Sequence, residues 1–337
     1  MSMFTKQLGI DMGTSNTRIY KTGGGVILNE PTVAALSLED DRVLAVGAEA
    51  LEMIGRTPEA IRAYRPIKNG VIADFKITRQ MLRIYLNKSL GRLRMHLPEV
   101  MLAISAGATS TEQKAAIDVA TAAGIKQIHT IKSAVAASLG AGIPIAEPRG
   151  HLIIDIGGGS TEIALISLSG IVSSSSIRVG GDDINHRIAS YLHKTYNLSI
   201  GEQTTEDIKH KIGFAMPLEK DKKVKVNGRD QIGGLPKTIE ISSSEITPLI
   251  EEVAEKIVRA LRNVIESTPP ELVSDIMEHG IVIAGGTSQL RNLDQLLRKV
   301  IGVPVVIAQD PELVVVKGTG MALDNLSDYK KSQFGWD

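Results

Sequence analysis

Two short stretches of this chain join the end of an apolar run to a glycine-rich bend through a single aspartate. The first is Asp11-Met12-Gly13-Thr14-Ser15-Asn16-Thr17, and the second is Asp155-Ile156-Gly157-Gly158-Gly159-Ser160-Thr161. Glycine lets backbone N–H groups come close to an anion. Thr14, Ser15 and Asn16 add side-chain donors for phosphate oxygens, and Ser160 closes the second bend. Asp11 and Asp155 are suited to face a magnesium ion through water, because that ion keeps several waters when bound. Each stretch alone also reads as an ordinary hairpin turn, since turns favour the same residue types. Two of them, each with its aspartate last in an apolar strand, point to a clamp on the β- and γ-phosphates from two sides. A third stretch, Ile281-Val282-Ile283-Ala284-Gly285-Gly286-Thr287, runs a buried strand into bare backbone that can lie against a flat base or ribose. By itself a Gly-Gly pair is weak evidence; after the other two loops it completes a nucleotide cleft.

The elements that must hold these loops follow from periodicity. Leu8/Ile10, Thr17/Ile19 and Val26/Leu28 alternate around turns at 11–15 and 23–25, which predicts short antiparallel strands. A hairpin is expected over 33–46, helices over 48–54 and 77–90, and a buried strand over 100–104. Ser110-Thr111-Glu112-Gln113 reads as a capping box for a helix that stops at Gly124. Another small-residue helix is expected over 134–139. The strand–loop–strand pattern then returns over 151–155, 161–167 and 171–179, a weak internal repeat that suggests two related halves. Helices are expected over 182–194, 202–213 and 245–266, with short strands at 224–226, 239–241 and 303–307. Gly318-Thr319-Gly320 is read as the entry to a final helix. Strand meanders alternating with helices, given twice, predict an α/β protein of two domains with a cleft between them.

Bulk properties bound the function. The 337 residues suffice for about two domains at roughly 100–200 residues each. With 43% hydrophobic and 23% charged residues, a sizeable core is expected. Lys+Arg and Asp+Glu are both 38, so the zero net charge argues against nucleic-acid binding and leaves self-association easy. The absence of cysteine excludes disulfides and thiolate zinc sites and fits a cytoplasmic setting. No signal peptide is expected. No run approaches about 18 apolar residues, so membrane contact is expected to be peripheral.

The three loops, in this order, resemble the actin/Hsp70/sugar-kinase ATPase superfamily. Within it the chain is similar to the MreB family of bacterial actin-like cell-shape proteins nearly end to end. The strings that carry the resemblance include Gly9–Thr17, Leu28-Asn29-Glu30-Pro31, Arg65-Pro66 to Asp74-Phe75, Asp155–Glu162 and Ser176-Ile177-Arg178-Val179. Ile200-Gly201-Glu202, Ile208-Lys209, Gly234-Leu235-Pro236, Thr268-Pro269-Pro270-Glu271-Leu272 and 315–320 continue it. The resemblance implies an actin-like, ribonuclease H-like two-domain fold of four subdomains. These are IA (1–32, 66–145, 315–337), IB (33–65), IIA (146–181, 246–314) and IIB (182–245). It also implies ATP and Mg2+ as ligands, Glu202 on the ribose, Lys209 near the adenine and Thr205 on the same helix. Glu202 and Lys209 lie seven apart, about two helical turns, so both share one face. A solvated helix face explains that spacing equally well.

The chain departs from the family at Lys132, Ser133 and Ala134, where a Glu-Glu-Pro string is usual. The second family glutamate is thought to orient the attacking water; its partner threonine is retained as Thr161. Serine can hydrogen-bond a water but is a poor base at neutral pH, so slow ATP hydrolysis is expected. Thr287 stands where a third glycine is usual and Ala106 where proline is; both loops should survive. The resemblance further implies head-to-tail filaments and, around 90–98, a membrane-dipping loop. There Leu93, Met95 and Leu97 alternate with Arg92, Arg94 and His96, which suits an anionic surface; Met3 and Phe4 could add to it. The opposing reading is a strand edge that packs Leu93 and Leu97 inward. Partners are expected to be the chain itself and membrane proteins of cell-shape morphogenesis. The alternatives are a small-molecule kinase, for which no sugar-kinase signature is present, and an Hsp70-type chaperone, whose peptide-binding domain finds no room in 337 residues.

Overall fold

The structure is a computed structural model and describes residues 7–90 and 98–326. The chain opens with a meander, β1 (Gln7–Met12), β2 (Asn16–Lys21) and β3 (Gly25–Pro31). A small sheet follows from β4 (Ala34–Ser37), β5 (Val43–Val46) and β6 (Ile61–Tyr64), with α1 (Ala48–Met53) inserted. The ribbon β7 (Ile67–Lys68) and β8 (Val71–Ile72) leads to α2 (Phe75–Leu90). Next come β9 (Glu99–Ile104), α3 (Ser110–Ala122), β10 (Gln127–Lys132) and α4 (Ser133–Gly140). A second meander, β11 (His151–Ile156), β12 (Thr161–Ser167) and β13 (Gly170–Ile177), precedes α5 (Gly181–Tyr196). Then follow β14 (Leu198–Ser199), α6 (Glu202–Ile212), β15 (Lys223–Asp230), β16 (Pro236–Ser242) and α7 (Ser243–Glu266). The chain continues through α8 (Pro270–His279), β17 (Ile281–Ala284), a 3₁₀ turn (Gly286–Gln289), α9 (Leu293–Ile301), β18 (Val305–Ile307) and α10 (Val314–Asp324).

The repeat inferred from the sequence is a repeat of topology. One five-stranded sheet runs β3-β2-β1-β9-β10 and the other β13-β12-β11-β17-β18. In each, a three-stranded antiparallel meander is extended by two parallel strands beside its first strand. The strands sort their side chains by the two-residue alternation of the pleat. Leu152, Ile154 and Ile156 of β11 pack towards α5 and α7, with Ile188, Ile246, Ile250 and Leu261. Leu8 and Ile10 of β1 pack towards α2, with Met81, Leu82, Tyr85 and Leu86. The intervening Ile153, together with Met101 of β9, faces a third core built on α4 and α10. Each such side chain contributes about 1.5–3 kcal/mol by burial, and cores on both faces of the sheet explain why Leu152-Ile153-Ile154 is continuously apolar.

The α4–α10 pair lies between the sheets and joins them. α4 consists largely of small residues and α10 carries glycines at the crossing, so their backbones meet: a Cβ on Gly318 would overlap the Ala136 carbonyl, and one on Gly140 the Val314 carbonyl. Gly318-Thr319-Gly320 therefore does not enter a helix, as the sequence suggested; it is the middle of α10, where Thr319 is fully buried. The cap of α3 also shifts by one residue. Thr109, not Ser110, is the cap, exchanging bonds with Glu112 at 2.9 and 3.3 Å. β15 and β16 are longer than expected, eight and seven residues, because they pair along their whole length. β6, β7, β8, β10, β14 and α8 escaped the sequence reading. β10 (QIHTIK) is largely polar and owes its strand state to pairing with β9.

Candidate functional site

The two aspartate loops are built alike. Gly13 N–H donates to the Asn16 carbonyl at 3.0 Å, and Gly157 N–H to that of Ser160 at 2.9 Å. The first bend is pinned by Thr32, whose hydroxyl donates to the Gly13 carbonyl at 2.8 Å. The second is pinned by the start of α5: Gly181 and Asp182 N–H donate to the Gly157 and Gly158 carbonyls at 3.1 and 2.8 Å. The bends meet face to face. A Cβ on Gly158 would overlap Ser15 Oγ, and one on Gly159 would stand 2.7 Å from Thr14 Oγ1 and 2.9 Å from the Asn69 backbone. Thr14 Oγ1 in turn accepts from Gly70 N–H at 2.8 Å. The third loop docks on the second, where Thr287 Oγ1 donates to the Gly157 carbonyl at 2.8 Å. The two substituted positions are thus both used. Ala106 N–H reaches Glu162 Oε2 at 3.3 Å, a bond that proline could not make.

Between the loops lies a cleft of about 910 Å3. Its walls bring together Asp11, Gly13, Thr14, Ser15, Asn16, Ser133, Asp155, Gly157, Gly158, Gly159, Ser160, Glu202, Lys209, Gly285, Gly286 and Thr287, as the sequence led us to expect. Two expected residues turn away. Thr161 is fully buried and its hydroxyl donates to the carbonyl of Val179, just past β13, at 2.7 Å. Thr205 is buried and bonds back to the Gly201 carbonyl one turn earlier at 2.9 Å. Leu93, Met95 and Leu97, with Met3 and Phe4, lie outside the described residues.

Arg18, Glu162, Arg65 and Gln203 are among the cleft-lining residues that sequence reasoning missed. Arg18 and Glu162 sit directly across their hairpins from Asp11 and Asp155, so the pairing register was the signal that could have found them. Arg65 and Gln203 gave no such signal. Arg65 donates to Glu202 Oε1 from Nε at 2.9 Å and from Nη2 at 2.6 Å, bridging the mouth of the cleft. Gln203 donates to the Leu51 carbonyl at 2.9 Å and accepts from Arg56 at 3.2 Å beside it. Glu202, expected on a ribose, is thus held by an arginine across the mouth. Lys209 donates to Glu206 at 2.8 Å and to the Gly181 carbonyl at 3.4 Å.

The floor of the cleft is rich in buried carboxylates. Burial, with Glu162 and Asp11 nearby, pushes Asp155 up to about 7 against the pull of Arg18. Burial likewise raises Asp11, opposed by Arg18, and Glu162, opposed by its bonds to Ser105 and Ala106 and by Lys132. Carboxylates held at such cost fit a hard, hydrated divalent cation. Among the described residues no three such groups are spaced to ligate a metal directly. Asp11 is the lesser candidate, because Arg18 Nη1 already engages it at 3.3 Å.

Known proteins share this architecture. A family model described as MreB/Mbl protein matches residues 5–331. The cell shape-determining protein Mbl of Bacillus subtilis (strain 168) is 43% identical over 329 residues, 98% of this chain and 99% of that protein. The crystal structure of MreB5 of Spiroplasma citri bound to ADP superposes with a TM-score of 0.91 at 36% identity, covering 97% of this chain and 99% of that one. The same protein bound to AMPPNP superposes with a TM-score of 0.91 at 35% identity, over 98% and 99%. The MamK double helical filament shares the fold alone, with a TM-score of 0.77 at 19% identity over 95% and 99%. The fold is actin-like, and by sequence along nearly its whole length the chain belongs to the MreB/Mbl family.

Proposed function

We propose that this chain binds ATP with magnesium in the cleft and uses it to gate head-to-tail assembly into filaments. The filaments would lie on the cytoplasmic face of a membrane, as part of a cell-shape cytoskeleton. The observation that carries the reading is the face-to-face contact of the two aspartate hairpins, each at the same place in its sheet. The MreB5 structures bound to ADP and to AMPPNP support an adenine nucleotide. The large sheets would be the cores of subdomains IA and IIA, with the small sheets β5-β4-β6 and β14-β15-β16 as IB and IIB.

The roles follow from placement. Backbone N–H groups at Gly13–Asn16 and Gly157–Ser160 take phosphate oxygens from both sides, so binding draws the halves together. Glu202 and Lys209 share the α6 face towards the nucleoside. Magnesium, when bound on the Asp155 side, supplies charge neutralisation to the phosphates. Subunits stacked end to end favour the closed cleft, and by linkage the closed cleft favours stacking. Hydrolysis is slow because Ser133 heads α4 at the cleft wall where a carboxylate would act as base, and because the Thr161 hydroxyl is committed to Val179. Membrane contact is assigned to Leu93, Met95 and Leu97 from their alternation with basic residues. Among the described residues no helix is long and apolar enough to cross a membrane. Membrane proteins of the shape-determining machinery are the proposed partners.

Sedimentation tests the reading. With Mg2+ and ATP the protein should pellet above a critical concentration, and with ADP only at a higher one. Anionic liposomes should co-pellet with the protein, and a Leu93, Met95 and Leu97 to Ser triple variant should stay in solution while binding nucleotide. An empty cleft at saturating ATP would overturn the proposal.

A further inference from the structure

An arginine lining the cleft is left with an unpartnered donor. β2 alternates: Thr17 and Ile19 are fully buried in the core, and Arg18 between them borders the cleft. Its side chain is only 14% exposed, and Nη1 donates to Asp11 Oδ2 at 3.3 Å. Its Nε is buried and has no hydrogen-bond partner. A guanidinium stays charged at every working pH and carries five donors in a planar fork. Burying such a group with one long carboxylate contact is costly unless another anion completes the fork. The neighbours on the floor are Asp155 and Glu162, with Lys132 the other cation bearing on it. Arg18 lies two residues beyond the first bend and lines the same cleft as Asp11, Asp155 and Ser133. An anion gripped by both bends would extend its terminal group towards this floor.

We propose that Arg18 is a phosphate-binding residue, which takes the terminal phosphate of a nucleoside triphosphate and supplies part of the positive charge that a divalent cation otherwise provides. The inference rests on the nucleotide reading of the cleft. It gives a consequence that reading lacks: this chain should distinguish ATP from ADP even when magnesium is removed. Arg18 holds Asp11 through Nη1 alone, and a guanidinium–phosphate contact is among the stronger hydrogen-bonded pairs.

The test is displacement of a fluorescent adenine nucleotide by ATP and by ADP, each with Mg2+ and with EDTA, for wild type, Arg18→Leu and Arg18→Lys. In EDTA the wild type should keep its preference for ATP within about threefold of the Mg2+ value. Arg18→Leu should lose about 30-fold in ATP affinity in EDTA and less than about threefold for ADP, in line with one charge-assisted pair. Arg18→Lys should recover part of the ATP affinity, which separates charge from folding and keeps the test valid if Arg18→Leu fails to fold. Wild type that binds both nucleotides while both variants discriminate as it does overturns this inference alone. Wild type that loses all ATP preference in EDTA also overturns it. Wild type that binds neither nucleotide, with or without Mg2+, overturns the reading of the cleft as well.

Discussion

Asp11 faces Arg18 across the first hairpin, and Asp155 faces Glu162 across the second. Three features around these pairs are duplicated: the strand order of the sheets, the bond that closes each bend, and the buried threonine that follows it. The charge opposite the aspartate is inverted. The duplicated backbone is what a phosphate grip needs, because N–H groups recognise an anion whatever the side chains are. The inverted charge divides the labour. The first half brings its own cation, and the second brings two carboxylates that need one.

Four experiments would break or sharpen this comparison. The largest expected effect is steric. Gly159→Val drives a branched side chain into Thr14 and the Asn69 backbone, and should cost about 100-fold or more in nucleotide affinity by forcing the bends apart. Ser15→Ala, at the equivalent place in the first bend, should cost no more than about fivefold; equal losses would deny the asymmetry of the two bends. Next is chemistry. Ser133→Glu should raise phosphate release about tenfold or more, measured with a coupled phosphate assay at saturating ATP. An unchanged rate would show that Glu162 or another group already orients the water.

The third experiment reads stability against pH. Burial pushes Asp155 in the folded state up to about 7, well above the usual carboxylate range of about 4. Between these the folded state holds a proton that the unfolded state has released, so this group makes nucleotide-free stability fall as pH rises from about 4 to about 7. Asp155→Asn should remove that slope and stabilise the free protein by on the order of 1–3 kcal/mol at pH 8. Asp11→Asn should destabilise it instead, because Arg18 then loses its buried partner. The same sign for both substitutions in urea unfolding would contradict the division of charge. The smallest effect is at the mouth. Glu202 is 40% exposed, so Arg65→Ala should cost no more than about 0.5 kcal/mol of stability, yet speed nucleotide exchange in stopped flow by about threefold. A slower exchange would show that the bridge does not hold the cleft closed.

The legible part of the site was the local part. Asp11, Gly13, Asp155 and Gly157 announce themselves because turn chemistry is decided within a few residues of chain. Arg18 and Glu162 were legible only through strand register, which the alternation implies but does not count out. Arg65 and Glu202 stand 137 residues apart, and no periodicity links them. β10 escaped because its residues alternate poorly and its partner β9 is what makes it a strand. Thr161 was misplaced for a related reason: its type suits the cleft, but the pleat turns it towards Val179.

By itself, then, the order of residues determined the paired loops, the α/β class and the likeness of the two halves, since each depends on contacts between near neighbours along the chain. Tertiary structure alone decided which wall each charge occupies, that Glu202 is held from across the mouth, and that α4 and α10 cross on bare glycine backbone. Those outcomes depend on which distant surfaces come within a few ångströms, and burial then sets the cost of every charge left between them.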